Sequence, residues 1–207
     1  MFAIRRRVGI SFTLEKLNIR LLVTGTLHKL IVPMMCSENK TKVVLYGLKI
    51  FKNLTTIKEN NENAQLMAGV NILINLYKDD SSYYKITKLC IVAIGNLCKQ
   101  KDILEEINRK DDQLSSKIDK HGASGGIFET MLNKHLEDAD SKTQGAILKM
   151  FNFLTNVQAE SMGDKVKEEI LAKMKRLFFE KQLLNKIVAC FVSLDKNVAI
   201  QSLSILM

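Results

Sequence analysis

One phrase recurs along this chain, and the recurrence restricts its fold more than any other feature. The segment VVLYGLKIFKNL at 43–54 falls on ITKLCIVAIGNL at 86–97 and on TQGAILKMFNFL at 143–154. VAIQSLSILM at 198–207 is an incomplete fourth copy. Equivalent positions agree in type: Val43, Ile86, Thr143 and Val198; Leu48, Ile91, Leu148 and Leu203; Phe51, Ile94, Phe151 and Leu206. From Val43 through Leu48 and Phe51 to Leu54 the steps are five, three and three residues, which keeps these side chains on one broad stripe of a core-facing helix.

A second phrase precedes each of the first three copies: VTGTLHKLIVPMM from 23, MAGVNILINLY from 67 and SGGIFETMLNKHL from 124. Gly25 stands 18 residues before Val43, while Gly69 and Gly126 stand 17 residues before Ile86 and Thr143. Two helices therefore recur in register, with a glycine where the chain turns or where two backbones approach closely. One proline, no tryptophan, ten glycines and little strand-like alternation agree with helix throughout.

The leucine that closes each phrase recurs at Leu54, Leu97 and Leu154, giving steps of 43 and 57 residues, and Leu148 to Leu203 is 55. A period near 43 lies in the range of armadillo and HEAT repeats. With GLKIFKNL and CIVAIGNL closing two of the copies, the chain from about residue 20 onward resembles the armadillo family. The resemblance implies an all-α, right-handed superhelical solenoid. Its expected parts are a basic N-terminal helix or targeting-like segment over 1–22, repeat 1 over 23–66, repeat 2 over 67–123, repeat 3 over 124–177 and an incomplete repeat 4 over 178–207.

Repeats 2 and 3 carry additional sequence. KDILEEINRKDDQLSSKIDKHGAS reads as a helical extension followed by an exposed loop. VQAESMGDKVKEEILAKMKRLFFEKQ contains an amphipathic helix bearing Val166, Ile170, Leu171, Met174 and Leu177. The fourth copy stops where the pattern would continue, so its apolar end is expected to be covered by further repeats or by a partner.

The resemblance also implies where a ligand would lie. In the family the last helix of each repeat lines a concave groove, and the Asn of the Asn-Leu phrase works with the residue four before it. Here those pairs are Lys49 with Asn53, Val92 with Asn96, and Lys149 with Phe153, each one helical turn apart. A carboxamide carries both donor and acceptor and so pairs with an extended peptide backbone. Family members that import basic cargo combine such Asn residues with Trp, which this chain lacks. Lysine at two of the three partner positions favours an acidic peptide or helix. Lys42, Lys85 and Lys142 coincide at the start of the final helix and suggest a basic ladder; solvated helix ends are the plainer reading.

No motif for catalysis stands out. His28, His121 and His135 belong to no HExxH or zinc-spaced cluster. HGASGG at 121–126 is a glycine-rich loop before a helix, without the Lys-Ser/Thr of a P-loop. EDAD at 137–140 falls in a turn, where carboxylates serve helix ends. The four cysteines (Cys36, Cys90, Cys98, Cys190) show no CxxC spacing and read as reduced, inert thiols. No cofactor or metal is implied.

The formal charge of +9 is spread along the chain, and no apolar run is long enough for a membrane span. The expected function is a non-catalytic protein-protein interaction scaffold, adaptor or complex subunit. A nucleic-acid-binding helical repeat is the second reading, weakened because aromatic residues do not interleave with Lys and Arg on an evident face. The expected location is cytoplasmic, including cytoskeletal or ciliary sites. Arg5, Arg6, Arg7, Lys16, Arg20 and Lys29 against the single acid Glu15 make a mitochondrial subunit the alternative.

Overall fold

In a computed structural model the recurring phrases are helices. The structure describes residues 27–36, 38–57, 65–78, 84–116, 118–119, 122–123, 125–156 and 164–207. The basic segment 1–22, Gly25, His121 and the Asn-rich break at 58–64 lie outside them.

The first of two compact units extends to Ala93. Its first helix, α1, is a π-type turn at Leu27–Ile31 that runs on into Val32–Met34; α2 is Thr41–Leu54 and α3 is Gln65–Lys78. Helix α4, Tyr84–Leu97, begins in this unit and ends in the next. Of the stripe expected on α2, Leu48, Phe51 and Leu54 are fully buried, whereas Val43 is half-buried and its neighbour Val44, 2% exposed, takes the core place at that end. They share the core with Ile31 and Met35 near α1 and with Leu66, Val70, Leu73 and Ile74 of α3. Gly69 is required by this packing. A Cβ at that position would lie 2.5 Å from Cζ of the Phe51 ring, so the absence of a side chain makes the seat for the aromatic.

The second unit begins at Ile94. It contains α5 (Lys101–Ser115), then α6, built from Ile127–Thr130, a π-type turn at Met131–His135 and Leu136–Asp138. α7 is Ser141–Thr155, and α8 joins Asp164–Lys175 to a π-type turn at Arg176–Glu180. α9 is Leu184–Phe191 and α10 is Lys196–Leu206. A two-residue antiparallel ladder, β1 (Ile118–Asp119) with β2 (Gly122–Ala123), is the non-helical pairing among the described residues. The chain is all-α in class.

Both stretches of additional sequence are thus built around helices. α5 and α8 occupy the same place in chain order, each ahead of a shorter helix and then a copy of the recurring phrase. Of the apolar set expected on the second stretch, Ile170, Met174 and Leu177 are buried, and Val166 and Leu171 are half-buried.

Three aromatic rings from three helices centre the second unit. Phe151 of α7 stands 6.2 Å from Phe128 of α6, edge to face, and 6.2 Å from Phe178 of α8. Local chemistry places the helix ends. Asp140, from the EDAD turn, accepts from the Thr143 N–H at 2.9 Å and caps α7, and Asp195 accepts from the Asn197 and Val198 N–H groups and caps α10. Gln182, between α8 and α9, carries a positive φ of 55°.

Candidate protein-binding surfaces

Where the sequence predicts groove residues, the structure gives mixed exposure. On α2, Lys42, Tyr46, Lys49 and Asn53 are all exposed and follow one another at steps of four, three and four, so they form a single outward stripe. The Lys49 ammonium lies 5.4 Å from the Tyr46 ring centroid, within cation–π range. On α7 the equivalent residues are Lys142 and Lys149, both exposed, with half-buried Ala146 and Phe153. On α4, Lys85 is exposed while Val92 and Asn96 are half-buried, and Asn96 is already engaged within the protein.

The sequence reading missed a wider segregation of charge. Helices α2, α4, α7 and α10 contain lysines and not one Asp or Glu. The acids collect elsewhere: α5 alone holds Asp102, Glu105, Glu106, Asp111 and Asp112. The signal was available by comparing whole copies of the phrase instead of matched columns. Without a neighbouring carboxylate on its own helix, a lysine keeps its full attraction for an acidic ligand.

α7 and α10 lie side by side through polar contacts. A Cβ on Gly145 would come within 2.8 Å of the Asn197 amide nitrogen, so glycine admits that close approach. Asn152 Nδ2 donates to Gln201 Oε1 at 3.4 Å, and Asn156 Nδ2 donates to the Ser204 carbonyl at 3.5 Å. On the other side of α7, a Cβ on Gly95 in the last turn of α4 would sit 3.5 Å from Met150 Cβ, an ordinary packing distance.

A buried ion pair holds three helices of the second unit together. Asp111 of α5 is 3% exposed, and its Oδ1 accepts from the Phe128 N–H at 3.0 Å in the first turn of α6. Its Oδ2 accepts from Lys173 of α8 at 2.9 Å. Lys173, 7% exposed, also donates to the Asn108 carbonyl at 3.3 Å and reaches Asp112 Oδ1 at 2.8 Å. This arrangement answers the glycine-rich loop before α6: a carboxylate of the chain itself occupies the place an anion would take at that helix start. Gly126 is confined by the same group, since a Cβ there would come within 2.5 Å of the Ser115 hydroxyl and closer to Asp111.

Beside the pair, a cleft of about 390 Å³ is lined by Glu105, Asn108, Arg109 and Asp112 of α5 and by Lys165, Val166 and Glu169 of α8. Its charges alternate in sign, and Arg109 is already bound to Glu106 at 2.6 Å. That pairing holds the Glu106 carboxyl below its ordinary range. The described residues contain no group of three or more His, Cys, Asp or Glu able to hold a metal ion. Nor does any described helix have the length and apolarity to cross a membrane. Burial pushes the Cys90 and Cys190 thiols up. Burial, with the Asp111 charge second, pushes Cys98 to about 12.

No protein-family model matches this chain, and no curated protein matches it. Among solved structures, it is similar to the crystal structure of an engineered protein from the Northeast Structural Genomics Consortium. The TM-score is 0.54 at 14% identity, over 93% of this chain and 82% of that one. At that identity the likeness concerns the fold alone.

Proposed function

We propose that this chain is a non-catalytic protein-binding scaffold of armadillo-like helical repeats, stacked as a right-handed solenoid, which holds acidic segments of partner proteins. The observation that carries the reading is the run of acid-free, lysine-bearing helices, above all the exposed stripe Lys42, Tyr46, Lys49 and Asn53 on α2. A flexible acidic peptide laid on that stripe would gain charge-assisted hydrogen bonds from the ammonium groups and a carboxamide for its backbone.

The test is a titration of the chain against fluorescein-labelled Glu- and Asp-rich peptides, with a labelled single-stranded RNA of equal charge as competitor. Binding of the peptide should weaken at least tenfold in Lys49→Glu with its helicity unchanged. Lys149→Glu tests α7 separately. Preference for RNA with a steep salt dependence would replace this reading with nucleic-acid binding, and indifference of peptide binding to both substitutions would refute the stripe.

A further inference from the structure

The cleft between α5 and α8 contains an acceptor that no described residue satisfies. Asn108, 7% exposed, is the most buried residue lining it, and its side-chain oxygen is buried without a hydrogen-bond partner. The nearby ammonium of Lys173 is already committed to the Asn108 backbone carbonyl, to Asp111 and to Asp112. Buried acceptors are nearly always paired, and one left open on the wall of a cleft is a place for a donor from outside the chain.

The charged groups around that oxygen divide into engaged and open ones. Arg109 donates through two nitrogens to Glu106, and Asp112 is paired with Lys173. Among the described residues nothing engages Glu105 on the α5 wall, or Lys165 and Glu169 on the α8 wall. Val166, half-buried on the same wall as Glu169, adds an apolar surface. The open groups are therefore two carboxylates on facing helices, one amide oxygen and one ammonium. The volume of about 390 Å³ is at the small end of the range for ligand sites.

We propose that this cleft binds a linear alkyl diamine or polyamine. One ammonium donates to the Asn108 side-chain oxygen and to Glu105, a second meets Glu169, and the methylenes between them lie on Val166. An alkylammonium carries several donors and no acceptor, which matches a site that offers carboxylates and a carbonyl oxygen. A metal ion fits less well, because the described residues bring together no three His, Cys, Asp or Glu able to hold one. An anion would find Lys165 as its open cation, among the carboxylates of Glu105, Asp112 and Glu169. The site lies in the second unit and is independent of the lysine stripe on α2.

Isothermal titration calorimetry of the full chain at low ionic strength tests this, with putrescine and spermidine as ligands and succinate and magnesium chloride as controls. The amines should bind with a dissociation constant below about 1 mM, and both controls at least about tenfold more weakly. Glu105→Gln and Glu169→Gln, at exposed positions where substitution spares the fold, should each weaken amine binding by about fivefold or more. Asn108→Leu should do the same, whereas Lys165→Met should leave the affinity unchanged or tighten it. Absence of binding by either amine up to about 10 mM overturns the proposal. So does binding that withstands both glutamine substitutions, or that magnesium matches, since either would mark a diffuse counter-ion effect. Tighter binding of succinate, lost in Lys165→Met, would overturn it in favour of an anion site.

Discussion

Replacing Lys173 by Met should destabilise the second unit by about 3 kcal/mol. The substitution keeps most of the aliphatic stem, which lies toward the Phe128 ring with Nζ 5.8 Å from its centroid, and removes the ammonium. Asp112, 56% exposed, simply returns to water and contributes little. The cost falls on Asp111, 3% exposed, which keeps the Phe128 N–H on Oδ1 but loses the ammonium on Oδ2, and on the Asn108 carbonyl. Stranding one member of a buried pair costs about 3–5 kcal/mol, and the retained amide bond places this case at the lower end. Asp111→Asn keeps an acceptor for Phe128 and should cost about 2 kcal/mol. In that background Lys173→Met should cost only about 1 kcal/mol, a coupling of about 2 kcal/mol. Urea unfolding followed by circular dichroism, with hydrogen exchange at the Phe128 amide to localise the effect, measures the cycle. A single-variant cost below about 1 kcal/mol, or an undiminished cost in the Asn background, would refute the argument that this pair ties the helices.

Gly69→Ala and Gly126→Ala should each lose about 1–3 kcal/mol through overpacking against Phe51 and against Asp111 with Ser115, read as shifted urea midpoints. Asp140→Ala should lose about 1 kcal/mol, because the α7 cap bonds to the Thr143 amide and hydroxyl go together, whereas Asp140→Asn should retain most of it. Iodoacetamide labelling resolved by peptide mass spectrometry should modify half-buried Cys36 first. Cys90 and Cys98, whose burial excludes the reagent and opposes the thiolate, should react only once the fold opens.

The helical class and the buried stripes could be read from the sequence because they rest on columns. Leu48, Phe51, Leu148 and Phe151 recur at helical spacing, and such positions become core whatever the details of packing. The capping role of the EDAD turn was legible for the same reason, since it depends on neighbours in sequence. α5 and α8 were legible as a helical extension and an amphipathic helix, but the ion pair between them was not. The overlooked clue was position. Asp111 shares a stripe with Ile103, Ile107 and Leu114, and Lys173 shares one with Val166, Ile170 and Leu177. Opposite charges on the apolar stripes of two helices are a signal for a buried pair, but only the fold brings residues 62 positions apart to 2.9 Å. Lys49 and Lys149 came from the resemblance and Lys42, Lys85 and Lys142 from their coincidence across the copies; all five are exposed, while Val92, Asn96 and Phe153 are half-buried.

The two arms of Asp111 close chain segments of very different length. The bond to the α6 amide spans 17 residues, whereas the bond to Lys173 spans 62. Closing the shorter segment costs less entropy, so α5 can template the start of α6 before α8 arrives. The lysine contact then belongs to the late side of the folding barrier. Lys173→Met should therefore leave the refolding rate nearly unchanged and express its destabilisation as faster unfolding, making α8 a latch on a subdomain already assembled.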